Sequence, residues 1–174
     1  SVDYICDEFR LATQGIYSAD EQSVNYYQRP TKGAAMALIA RLRLFQASPL
    51  FNGGAAARKC FGTWKRKSDG AYYVNQEYNP RRWAVAAAAA KQLTKMGYEL
   101  HTVEADAQNP YPLASNVPTA NFPDGAGNID PYHSYSDMFT GEGIIQTNKE
   151  FIWAMESSNV TNYTHHSFPV KFGG

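Results

Sequence analysis

Apolar residues recur at helical spacing from the start of the chain: Val2, Ile5, Cys6, Phe9, Ala12 and Ile16, with Asp3, Asp7, Glu8 and Arg10 filling other positions. This pattern predicts an amphipathic helix over residues 1–14, stopped at Gly15. Residues 15–30 are polar and end in Pro30, so they read as a connection. Thr31 then offers an N-cap hydroxyl, and residues 32–47 are apolar nearly all round, which predicts a helix buried among others. Its Ala34, Ala35, Ala37 and Ala40 are small enough to let neighbouring backbones approach. Pro49 ends it, because the residue before a proline is biased away from helical geometry.

Turn residues dominate 50–79, where Ser68-Asp69-Gly70 between Trp64 and Tyr72-Tyr73-Val74 predicts a small hairpin. Asn79-Pro80 is a helix start, and residues 80–96 with their run of alanines predict a strong helix closed at Gly97. Trp83, Ala87, Ala90 and Leu93 would share its packed face. Residues 104–133 hold five prolines and several asparagines and read as a long loop. One helical turn is expected around Ser136–Phe139, and a short buried strand over 150–156. Trp83 and Trp153 are both expected in the core. The fold class is therefore mainly α, with long irregular loops and a few short strands.

Composition narrows the chemistry. The 174 residues carry 16 Lys and Arg against 16 Asp and Glu, with no basic stripe, so no nucleic-acid partner is expected. The low net charge also points away from a strongly anionic ligand. No run of about 18 apolar residues is present to span a membrane. The chain begins inside a helical pattern without a leader, as a piece of a longer protein would. Cys6 reads as a small buried hydrophobe and Cys60 as a loop thiol. Nothing in their spacing supports a disulfide or a metal site. There is no G-x-S-x-G, no phosphate-binding glycine loop and no His-Glu-x-x-His, so no cofactor is expected. Asp7, Glu8, Asp106, Asp124, Asp130, Asp137 and Glu142 are scattered. No two are placed by sequence as the carboxylate pair of a glycoside hydrolase, so no catalytic residue is expected.

Arg29-Pro30-Thr31-Lys32-Gly33-Ala34-Ala35, continuing through Ala40-Arg41 to Ala47-Ser48-Pro49-Leu50-Phe51-Asn52-Gly53, resembles the P-T-K-G-A-A helix ending in A-S-P-L-F-N-G of the SusD/RagB family. Further pieces follow in that family's order. Val2-Asp3-Tyr4-Ile5 with Asp7 and Ala12 comes before it. Trp83 with Ala84, Ala87, Ala88, Ala89 and Lys91 comes after, leading to Gly97-Tyr98-Glu99-Leu100. Tyr135-Ser136-Asp137-Met138-Phe139-Thr140 and Asn148-Lys149-Glu150-Phe151-Ile152-Trp153 complete the series. The resemblance implies tetratricopeptide-like helical pairs decorated by loops. It also implies a domain of which 1–174 is the middle part, with a lipidated N-terminal segment and a C-terminal half outside this chain.

The function it implies is a non-enzymatic, surface-exposed outer-membrane lipoprotein. Such a protein captures oligo- or polysaccharide and passes it to a TonB-dependent SusC-like barrel. A peptide receptor of the same family and a helical protein–protein scaffold are the alternatives. Glycan binding calls for flat aromatic faces beside amide and charged groups. The first candidate patch is Asn162, Tyr163, His165 and His166, in the polar aromatic tail. The adjacent histidines lack a nearby third ligand, so a metal is not expected there. The second candidate is Trp64, Tyr72 and Tyr73, for which burial beneath the loop is the competing reading.

Overall fold

The structure, a computed structural model, describes residues 2–26, 28–140 and 148–154. It is mainly helical, as expected. Helix α1 spans Val2–Ala12, α2 Lys32–Ala47, α3 Gly54–Phe61, α4 Arg81–Leu93 and α5 Pro131–Thr140. Among the described residues the named strands are β1 (Val103–Glu104) and β2 (Ile129–Asp130), paired antiparallel.

Helix α2 is the centre and is flanked by α1 and α4. Contacts at the helix ends give the directions. Arg43 near the end of α2 donates to Asp3 at the start of α1, so the two run antiparallel. Asn52 just beyond α2 bonds Asn79 just before α4, while Gly33 at the start of α2 lies under Tyr98 beyond α4. Those helices are antiparallel too. Thr31 caps α2 by accepting from the Ala34 N–H at 3.3 Å, and Ser48 closes it through the Leu44 carbonyl.

The helices pack through small residues. Ala34, Ala35, Ala47, Ala86 and Ala89 are buried, and among the described helical residues Cys6 and Ile39 alone add larger apolar side chains at full burial, with Val2, Phe9, Met36 and Leu42 around them. Alanine sacrifices side-chain burial but costs no rotamer entropy and permits close backbones. Not every face of α2 is covered. Leu38, Leu44 and Phe45 are exposed, contrary to the expectation of burial all round.

Helix α4 is also turned differently. Ala86 and Ala89 face inward, whereas Trp83 is 42% exposed. The reason is Arg82, whose guanidinium reaches inward to the Phe51 carbonyl at 3.1 Å and so takes the side that Trp83 would need. Trp153 is likewise outside the core, at 48% exposure, with its indole N–H donated to the Gln28 carbonyl at 2.8 Å. Of the strand expected over 150–156, residues 150–154 form turn, bend and irregular chain, and 155–156 lie outside the described residues. Helix α5 covers ten residues where one turn was expected, and α3 lies in a stretch expected to be dominated by turns around one hairpin. Cys60 sits exposed on α3 and Cys6 is buried on α1, both as free thiols.

The joint between α2 and α3 carries the most specific polar packing. Asn52 is fully buried. Its amide donates to the Ala47 carbonyl (3.2 Å) and the Asn79 carbonyl (3.0 Å), and its oxygen accepts from the Asn79 N–H (3.2 Å). Gly53 follows at φ +80°, ψ −166°, a region open essentially to glycine alone, where any β-carbon would run into the Glu77 backbone. The L-F-N-G stretch thus clamps the end of α2 onto the entry of α4.

Candidate functional site

Helix α3 and the segment after it form one unit. The Gly54 N–H donates to the Gln76 carbonyl at 3.0 Å, and the Arg58 guanidinium reaches the same oxygen at 3.1 Å. Ala57 and Val74 are buried between them. Gly62 ends the helix, and the chain turns into the hairpin that the Ser68-Asp69-Gly70 pattern predicts. Lys65 pairs with Tyr72, Arg66 N–H donates to the Ala71 carbonyl at 2.8 Å, and Tyr73 N–H donates to the Trp64 carbonyl at 3.3 Å. Asp69 ties the tip by accepting from the Ala71 N–H at 3.1 Å and pairing with Arg66, which holds its carboxyl below the ordinary range.

Strand alternation then sorts the candidate aromatics. Trp64 and Tyr73 lie opposite one another on one face, ring centroids 4.9 Å apart. Tyr72 faces the other way, with the Lys65 ammonium 4.5 Å over its ring. The structure therefore brings Trp64 and Tyr73 together and separates Tyr72 from them.

Two further rings extend the Trp64 face: Phe61 at 5.8 Å from Trp64, and Phe51 at 5.9 Å from Phe61 and nearly parallel to it. The four rings make a continuous ladder. Trp64 is 53% and Tyr73 57% exposed, so this is an open surface and not packing beneath a loop. Phe51 and Phe61 were not foreseen, because their approach depends on α3. Asn162, Tyr163, His165 and His166 lie outside the described residues.

A second concave feature opens where α5 meets the chain around residue 101. It is a groove of about 360 Å³ walled by Leu100, Phe122, Ile129, Tyr135, Met138 and Phe151, with His101 and Glu150 as its main polar members. Glu150 accepts from the His101 backbone N–H at 2.7 Å, and Asp137 lies 3.5 Å from the ring Nε2 of His101. The other oxygen of Asp137, Oδ1, is buried without a hydrogen-bond partner among the described residues. Two carboxylates distant in sequence thus converge on His101, Glu150 at its backbone N–H and Asp137 at its ring. Among the described residues no three His, Cys, Asp or Glu side chains gather as metal ligands would.

No protein-family profile and no curated protein matches the sequence. Among solved structures the fold is similar to part of BT4246, a Bacteroides thetaiotaomicron protein, with a TM-score of 0.55 at 23% identity. The match covers 90% of this chain and 27% of BT4246. A selenomethionine form of BT4246 gives a TM-score of 0.53 over the same shares. The likeness establishes a common fold over nearly the whole chain, which spans about a quarter of that protein's length.

Proposed function

We propose that this chain is part of a non-catalytic, surface-exposed glycan-binding subunit. It captures oligo- or polysaccharide and delivers it to a TonB-dependent barrel in the outer membrane. The observation that carries the reading is the ladder Phe51–Phe61–Trp64–Tyr73, exposed at Phe51, Trp64 and Tyr73 and half-buried at Phe61, with neighbouring rings 4.9–5.9 Å apart. Sugar rings present flat C–H faces that stack on aromatic surfaces, and a tyrosine hydroxyl or indole N–H supplies a polar edge. A ladder held by a helix and a hairpin is preformed, so little ordering entropy opposes capture. The resemblance of the central segment to SusD/RagB proteins supports the same reading.

The test is migration of the protein through native gels containing a panel of polysaccharides, with Trp64→Ala and Tyr73→Ala beside the wild type. Retardation by one glycan class, without product released and lost in both variants, supports the reading. Retardation unchanged in folded variants moves the site elsewhere.

A helical scaffold that binds only protein is the second reading. It is favoured by the exposed apolar residues Tyr4 and Leu11 on α1 and Leu44 and Phe45 on α2. It predicts uniform mobility in every gel while a barrel partner is still retained.

A further inference from the structure

The neutral total charge hides a local excess at the aromatic ladder. Residues 54–74 hold five of the chain's 16 cationic side chains (Arg58, Lys59, Lys65, Arg66 and Lys67) against one carboxylate, Asp69. That stretch therefore carries a net +4, and the remainder of the chain is correspondingly acidic. Three of the five are engaged. Arg66 pairs with Asp69, Arg58 bonds the Gln76 carbonyl and approaches Glu77 at 4.0 Å, and Lys65 rests on Tyr72. Lys59 and Lys67 are exposed and have no ion-pair partner among the described residues. Lys59 stands two residues before Phe61 on α3 and Lys67 three after Trp64 near the hairpin tip, so both bring charge to the unit that carries the ladder without sharing its ring face.

Resting on the glycan reading of the ladder, we infer that its ligand is an anionic glycan whose sugars carry carboxylate or sulfate groups. The rings stack the sugar faces, and the local positive excess, Lys59 and Lys67 included, attracts the acidic substituents. Charges within a Debye length of about 10 Å attract the polymer even without direct contact, and a local cluster of one sign raises the on-rate for the opposite sign. This reverses the expectation drawn from total charge.

A single-stranded nucleic acid would also bring negative charge and flat rings. The geometry favours sugars. The four rings already lie against one another, leaving no gap for bases to stack between them, and the two arginines suited to gripping phosphate in a fork are both engaged.

The experiment measures affinity of the whole 174-residue chain for polygalacturonate, chondroitin sulfate, a neutral galactan and oligo(dT), at low and physiological ionic strength. The Lys59→Gln/Lys67→Gln variant is run in parallel, with circular dichroism to confirm its fold. The inference expects an acidic glycan to bind most tightly, weakened by salt. It expects a loss of roughly 2- to 30-fold in the variant, from two exposed ion pairs, with the neutral galactan unaffected. Galactan bound as tightly as the acidic glycans, and equally in the variant, overturns the charge inference and leaves the glycan reading standing. Tighter binding of oligo(dT) than of any glycan overturns it in favour of nucleic acid. No retention of any polysaccharide removes both.

Discussion

Replacing Asn52 by alanine removes three hydrogen bonds at once from a side chain with no exposure. At about 1 kcal/mol each, with extra cost for buried groups left without partners, the loss is roughly 3 kcal/mol. For a chain of this size that lowers the melting temperature by about 6–12 °C. Asn52→Asp is the sharper perturbation because it keeps the shape. Its oxygen still accepts from the Asn79 N–H, but the former amide position now faces the Ala47 and Asn79 carbonyls as another acceptor. Burial and those two oxygens raise the pKa of the new carboxyl above its unfolded value. In that case the folded state holds the proton longer than the unfolded one, so stability falls as pH rises from about 4 toward the folded pKa. The difference between N52D and wild type is therefore small near pH 4 and grows toward neutrality. Thermal melts of both proteins across that range check it. A difference that stays constant with pH, or a melting temperature of N52A within about 2 °C of wild type, would refute the role given to Asn52.

Glycines at positive φ give a paired prediction. Gly53→Ala meets both a forbidden backbone region and the Glu77 backbone, so it costs more than the 1–2 kcal/mol of left-handed strain alone, whereas Gly70→Ala at φ +72° has open space and costs about 1 kcal/mol. Urea titration of the two variants should rank them in that order. At the α1–α2 contact, the hydrogen bond from Arg43 holds the Asp3 carboxyl below its ordinary pKa. The stability it gives is present above the unfolded value and disappears as pH falls through the folded one. Asp3→Asn should therefore destabilise by about 1 kcal/mol near neutrality, discounted for the exposure of Asp3, and by less under acid, as read from melts at the two pH values.

What could be read ahead of the structure was local. The limits of α2 follow from the Thr31 hydroxyl at one end and Pro49 at the other, both acting within a few residues. The hairpin follows from Ser68-Asp69-Gly70 for the same reason. Helix α3 was not legible because eight residues between glycines have little helical tendency of their own. Its anchors, Gln76 and Val74, lie about a dozen or more residues away. The inward face of α4 was misread because an alanine run looks alike on every side. Arg82, reaching for carbonyls at the end of α2, decides which side is packed. The same limit applied to the ladder. Trp64 and Tyr73 could be paired from the hairpin, but Phe51 and Phe61 join them only once α3 exists.

The stitch at Thr31 and Trp153 bears on the order in which the molecule assembles. The Thr31 hydroxyl accepts from the Ala34 N–H to start the central helix and also lies 3.4 Å from the Ile152 carbonyl, while Trp153 reaches Gln28. These partners are 121 and 125 residues apart, against nine for Trp64 and Tyr73 across the hairpin (73 − 64). Closing a loop of that length costs about 2 kcal/mol more than closing one of ten residues. Helices and hairpin therefore come first, and the seam is drawn shut last and loosens first. Because one hydroxyl serves both jobs, the first turn of the central helix registers whether the segment around Ile152 has docked.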